Sequence, residues 1–255
     1  EILSNSNFNK IAIITDDNSQ KYCFKKIESV FNLYNYFNIN IKQGEEQKNI
    51  NTCNNIWQLL LDNNVDRYSL IIGIGGGVIC DITGFIANTY KRGINYILIP
   101  TTLLAQVDAA IGGKNGINFN NIKNSIGTFG KPNNIIINTE FLSTLNTKEF
   151  TIGLTEVFKY GVIADNSILQ CIENGNLNNN IYDIIKKSVN IKSTIVEKDY
   201  NDLGIRKSLN FGHTIAHGIE SVYNYEVCHG QAVAFGMIGA LLLSEELLQY
   251  PTNKC

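Results

Sequence analysis

The chain has 255 residues, 44% of them hydrophobic, which is enough for one large domain or two modest ones with real cores. Acids and bases nearly cancel, 23 against 21, for a net charge of −2. That balance argues against nucleic acid or an anionic membrane as the main partner, so any anion site must be local, built from a few placed lysines.

No uninterrupted apolar run reaches the roughly 18 residues a membrane helix needs, and no signal-peptide pattern opens the chain. Six cysteines (Cys23, Cys53, Cys80, Cys171, Cys228 and Cys255) are scattered without a C-x-x-C pair. They read as reduced, mostly buried thiols of a cytosol-like compartment. The excess of Asn, as at 178–180, is a compositional bias and carries no chemistry of its own.

In chain order, β-branched runs at 10–15, 38–42, 69–75, 95–100 and 134–138 predict strands, and 20–36, 48–63 and 78–90 predict helices between them. Strands alternating with helices imply βαβ units and a parallel sheet. From residue 148 onward strand patterns vanish, and 148–164, 181–198, 206–223 and 229–249 carry apolar residues at helical spacing. The expected fold is α/β: a Rossmann-like parallel-sheet domain over 1–147, then an all-α domain over 148–255. Ligands of such pairs usually sit between the domains.

Three segments of the first half carry chemistry. GEEQK at 44–48 sets Glu45 and Lys48 one turn apart, which suits ribose hydroxyls or a solvated helix start equally. SLIIGIGGGVICD runs from a buried strand through Gly73, Gly75, Gly76 and Gly77 into a helix. Such a loop lets a pyrophosphate approach the backbone and a helix N-terminus, although Val78 replaces the third glycine of the usual fingerprint and a tight packing turn is the competing reading. PTTLLAQVDAAIGGKNG at 100–116 holds paired threonines, Asp108 in an apolar helix, and a Gly-Gly-Lys turn. A lone carboxylate in that setting is costly unless paired or used.

The second half holds all three histidines, His213, His217 and His229, in one short stretch. His213 and His217 share a helix face at i,i+4 spacing, and by spacing alone they are the natural metal pair. Histidines satisfied within a core are the plainer alternative.

Taken together, GEEQK, GGGVICDITGF, YKRGINYILIPTTLLAQVDAAIGGKNGIN, IKNSIGTF, FLSTL, GLTEVFKYGVI, LGIRKSLNFGHTIAHGIE and HGQAVAFGM resemble the 3-dehydroquinate synthase family in order and almost end to end. Asn115 stands where that family often has Thr. The chain is expected to begin after the family's first strands and to stop inside its helical domain, so weak activity is expected of this stretch alone.

The resemblance implies an enzyme that converts 3-deoxy-arabino-heptulosonate 7-phosphate to 3-dehydroquinate plus phosphate, with NAD reduced and reoxidised within one turnover. It implies a divalent metal, Zn²⁺ first and Co²⁺ second, on Glu156, His213 and His229, with His217 moved to the substrate as a proton-handling or phosphate-contacting group. It assigns Glu45, Lys48, Gly76, Gly77, Val78, Asp81, Thr101, Thr102, Leu142 and Thr144 to NAD. Asp108, Lys114, Asn124, Lys159, Lys192, Arg206 and Asn210 fall to the substrate, with Lys114 and Lys123 at the cofactor boundary. It further implies a phosphorylated sugar-acid substrate, no nucleic-acid or membrane partner, a homodimer as the common assembly, and a cytoplasmic location, or a plastid one in a eukaryote.

Three rivals stand beside this reading. A sister cyclase acting on another heptulose phosphate would share the NAD and metal motifs but usually lacks the Gly-Gly-Lys turn at 112–114. A metal- and NAD-dependent polyol dehydrogenase would not need the lysines. A non-catalytic relative would be expected to have lost Glu156, His213 or His229 first.

Overall fold

The computed structural model describes residues 3, 8–120, 122–175, 177–223 and 227–249. Cys255 lies outside them. The chain divides into two compact units, Glu1–Thr144 and Leu145–Cys255.

The first unit opens with strand β1 (Ile11–Asp16), short helical turns from Asp17 to Phe31, and β2 (Tyr36–Ile41). Helix α1 (Ile50–Asp62), β3 (Leu70–Gly75), α2 (Gly77–Thr89) and β4 (Asn95–Pro100) follow. Next come an antiparallel hairpin of β5 (Lys114–Phe119) and β6 (Ile122–Phe129), and a short β7 (Asn134–Ile135). The main sheet runs β2-β1-β3-β4-β7 with every pairing parallel.

Alternation decides which face each side chain joins. Ala12, Ile14, Ile71 and Leu98 pack with α1 and α2 residues such as Cys53, Ile56, Ile82 and Ile86. Ile11, Ile13, Leu70, Ile72, Ile97 and Ile99 pack on the other side with Cys23, Phe24, Phe31 and Phe141. Both faces are covered, which is why these strands read as continuous apolar runs. Strand order reverses between β1 and β3, and ligands of open parallel sheets collect beyond the carboxyl ends at such a switch. The glycine loop stands there, at the end of β3.

The helix expected over 20–36 is instead a chain of short α, π and 3-10 turns that ends before β2 begins at Tyr36. The apolar helix around Asp108 shrinks to a π turn, Ala105–Ala109. The β5–β6 hairpin was not foreseen. Nearly all of β6 is exposed, so it shows no apolar alternation.

The second unit is helical: α3 (Thr147–Ile163), α4 (Asn166–Glu173), α5 (Ile181–Lys198), a 3-10 turn Ile205–Asn210, α6 (His213–Val222) and α7 (His229–Leu248). Asn146 caps α3 through the Glu149 N–H. The single helix expected over 206–223 is broken at Gly212, whose φ of +79° is left-handed and separates the 3-10 turn from α6. Gly212 also seats α7. A Cβ on Gly236 would stand 2.0 Å from the Gly212 carbonyl oxygen, and one on Gly212 would stand 2.7 Å from the Met237 nitrogen. Ala216, Ala232, Val233 and Met237 form the core beside that contact.

By length and composition α7 is a described helix able to cross a membrane, a correction to the count of uninterrupted apolar residues, which His229, Gln231 and the small residues obscure. One side packs through Gly230, Ala232, Val233, Gly236 and Met237. Leu242, Leu243, Leu247 and Leu248 lie exposed, Leu241 half-buried.

Candidate active-site residues of the two units

In the first unit the glycine loop leaves β3 through Gly75. Gly76 is the N-cap of α2 with extended backbone and no side-chain cap, so Gly77 and Val78 open the helix without a side chain over its amides. The Thr102 methyl lies against Gly76, and the Thr102 hydroxyl accepts from the Ala105 N–H at 3.2 Å. Thr101 is buried and donates its own N–H to the Gly75 carbonyl at 2.9 Å.

Lys48, almost fully buried, pairs with Asp81 on α2 and donates to Asn124 Oδ1, each at 2.5 Å. Asn118 on β5 donates to Glu45 Oε1 at 2.8 Å, and its backbone N–H donates to the Lys48 carbonyl at 2.7 Å. The hairpin thus closes on the 44–49 turn and gathers Glu45, Lys48, Asp81 and Asn124, with Asn118 as the link that the sequence reading missed. Asn124, expected with the substrate, sits here in left-handed backbone with φ +53°. Lys114 opens β5 and is exposed, as is Lys123 on β6; Asp108 is half-buried in its π turn. Leu142 and Thr144 belong to the 3-10 turn Thr139–Thr144, where the Thr144 hydroxyl donates to the Phe141 carbonyl.

In the second unit, Glu156 on α3, His213 at the start of α6 and His229 at the start of α7 converge, with one ligand atom of each within 4.8 Å of the others. Glu156 is buried, and His213 Nε2 lies 3.5 Å from its Oε1. Close seating of α7 on α3 makes this possible, because a Cβ on Gly230 would meet the Ile152 Cα at 2.8 Å. Burial holds the His213 imidazole below its ordinary pKa, against the opposing pull of the Glu156 charge. The neutral ring that a metal requires is therefore favoured. Glu156 Oε2 is ion-paired to Lys159 yet takes no hydrogen bond of normal geometry. A buried carboxylate left so, beside the imidazoles of His213 and His229, suits a divalent cation.

His217, the partner chosen by spacing, is exposed. Its ring is 5.9 Å from that of His213, against 5.6 Å for His229. The carboxylate–imidazole cluster forms without it.

Among the described residues of this unit three cations are buried: Lys159, Lys192 on α5, and Arg206 on the 3-10 turn that packs against α5. Asp199 builds the loop carrying Arg206, accepting from the backbone N–H groups of Leu203, Gly204 and Arg206. Those of Leu203 and Arg206 hold its carboxyl below the ordinary range. The Arg206 guanidinium donates to the Tyr200 carbonyl at 2.6 Å. Asn210 ends the same turn, exposed. Asp199 had no motif to announce it. Glu220, beside His229, could have been found as the acid seven residues after His213 on the same helix.

Solved structures share this fold. One is 2-epi-5-epi-valiolone synthase of Streptomyces hygroscopicus subsp. jinggangensis 5008, with NAD⁺ and Zn²⁺ bound: TM-score 0.84, 23% identity, 97% of this chain and 78% of that one. Another is 2-deoxy-scyllo-inosose synthase with carbaglucose-6-phosphate, NAD⁺ and Co²⁺: TM-score 0.83, 22% identity, 96% of this chain and 70% of that one. The likeness is one of fold.

Sequence narrows it further. Residues 38–152 match the description "3-dehydroquinate synthase N-terminal" and 153–255 "3-dehydroquinate synthase C-terminal". The 3-dehydroquinate synthase of Clostridium tetani is 44% identical across 99% of this chain and 69% of its own length. The chain belongs to the 3-dehydroquinate synthase family and is a lyase of that kind.

Proposed function

We propose that the chain converts 3-deoxy-arabino-heptulosonate 7-phosphate to 3-dehydroquinate and inorganic phosphate, using NAD that is regenerated within each turnover and one divalent metal. The observation that carries this reading is the second unit's combination of Glu156, His213 and His229 with three buried cations, Lys159, Lys192 and Arg206. A polyol dehydrogenase has no use for so much buried positive charge, whereas a substrate bearing carboxylate and phosphate needs it.

When bound, NAD supplies the hydride acceptor and the metal a Lewis acid beside the reacting alcohol. Glu156, His213 and His229 would hold the metal, Zn²⁺ by ligand type, with one position left open. Lys159 shares its charge with Glu156 and fixes that carboxylate. Arg206 offers a planar fork suited to an oxyanion, and Lys192 a compact charge. The exposure of His217 supports its reading as a group that carries a proton at a ring nitrogen or meets phosphate. Lys114, Asp108 and Asn210 complete the substrate set.

In the first unit, Gly76, Gly77, Val78 and the Lys48–Asp81 pair form the dinucleotide seat, with Glu45, Thr101, Thr102, Lys123, Asn124, Leu142 and Thr144 around it. Most of the chemistry then follows from holding reactive groups in place. The Gly112-Gly113-Lys114 turn favours this substrate over that of a sister cyclase.

The test is phosphate release from the heptulosonate phosphate with NAD in trace amount. Release far in excess of NAD is expected. NADH accumulating in step with substrate loss would make the protein a dehydrogenase instead.

A further inference from the structure

Glu220 lies in the last turns of α6, two turns beyond His213, with its side chain 2% exposed. Its Oε1 is 3.2 Å from Nδ1 of His229. His213 also turns Nδ1 inward, to the Phe211 carbonyl at 3.3 Å. Both imidazoles thus spend Nδ1 on the protein, and His213 Nε2 is the atom facing Glu156.

We propose that Glu220 is a positioning residue that holds His229 in the Nδ1–H tautomer, making Nε2 the metal-binding atom. This rests on the metal reading above. A neutral imidazole has one N–H and one lone pair, and an ionised carboxylate can only accept. A carboxylate facing Nδ1 therefore draws the N–H to that nitrogen and leaves the lone pair on Nε2. It also stops the ring from turning about its Cβ–Cγ bond and raises the basicity of the ligating nitrogen. The seven-residue spacing on α6 puts His213 and Glu220 on nearly the same face, so one helix presents a ligand and the support of the other. The alternative is an ion pair that merely ties α6 to α7, which would affect stability and leave tautomer and metal affinity alone.

Three measurements on the full chain separate these. In metal-free wild type near pH 8, above the ordinary imidazole range, ¹H–¹⁵N correlation through two bonds should show His229 protonated at Nδ1. The Nε2–H form would overturn the proposal. Glu220→Leu should weaken Zn²⁺ binding about 10–100-fold by chelator competition and alter the visible bands of the Co²⁺-loaded protein. Glu220→Gln, which keeps an acceptor oxygen, should recover most of that loss. A folded Glu220→Leu chain with wild-type Zn²⁺ affinity and an unchanged Co²⁺ spectrum overturns the role of Glu220 while leaving the metal site standing. A wild-type chain that takes up no metal overturns the metal reading, and the proposal with it. The tautomer needs no variant, so the proposal stays testable if Glu220→Leu does not fold.

Discussion

The Lys48 ammonium reaches from the turn before α1 to Asp81 on α2, closing to 2.5 Å with only 6% and 18% of the two side chains exposed. Spacing and apolar pattern alone show no reason for these two to meet; only the family resemblance assigned both to one cofactor. The hairpin brings them together, as Asn118 and Asn124 pull it over the same turn. Removing one partner leaves the other charge part-buried. We expect Lys48→Met and Asp81→Asn each to destabilise the chain, with a coupling of about 1–3 kcal/mol in a double-mutant cycle by urea unfolding. Both should weaken NAD binding in a fluorescence titration. A coupling near zero would mean that the pair only reports proximity.

His213→Ala and His229→Ala should each lose bound metal, while His217→Ala keeps it and loses turnover. The cluster of Glu156, His213 and His229 closes without His217, which is exposed. Elemental analysis of purified variants decides this. An empty site in His217→Ala would restore the i,i+4 pair as the chelate.

Gly230 follows His229 directly, and a methyl there would stand 2.8 Å from the Ile152 Cα. Backbone cannot swing aside as a side-chain tip can, so α7 must lift from α3. Gly230→Ala should therefore cost about 1–3 kcal/mol and weaken metal binding together, because the lift carries His229 away from Glu156. Thermal unfolding and chelator competition on one sample would show whether the two losses travel together.

Burial pushes the Cys53 thiol up from 9.0 to about 12 and raises Cys80 as well. The folded chain keeps these protons where an unfolded chain loses them. Their stabilisation is complete below pH 9.0 and declines as pH rises toward about 12, by about 1.4 kcal/mol per pH unit for each thiol. Cys53→Ala should flatten this alkaline slope by one thiol's share in pH-dependent denaturant melts.

The parallel sheet was legible because both faces of β1, β3 and β4 are buried, and buried parallel strands write themselves as Ile-rich runs. The glycine loop was legible for the same reason, standing between such a run and a helix. The β5–β6 hairpin was not, since Lys123, Asn124 and Ser125 are exposed and obey no apolar period. The break at Gly212 was not, because apolar spacing continues across it. In the second unit, spacing found the histidines but joined His213 to His217. Glu156 stands far earlier in the chain and enters only through the packing of α3 with α7, which local pattern cannot carry; the family resemblance supplied it.

Because Gly212 and Gly236 meet main chain to main chain, no side chain sets the gap between α6 and α7 at that point. The separation of the two helices that open with His213 and His229 is therefore gauged by the backbone itself. Substitutions at Ala216 or Val233 can change the volume beside the contact without changing that gauge. A lineage is then free to drift through most of this core while two positions stay frozen, and tuning toward a different ion would have to act through the ligands and their hydrogen-bonding partners, since the helix spacing offers no adjustable part.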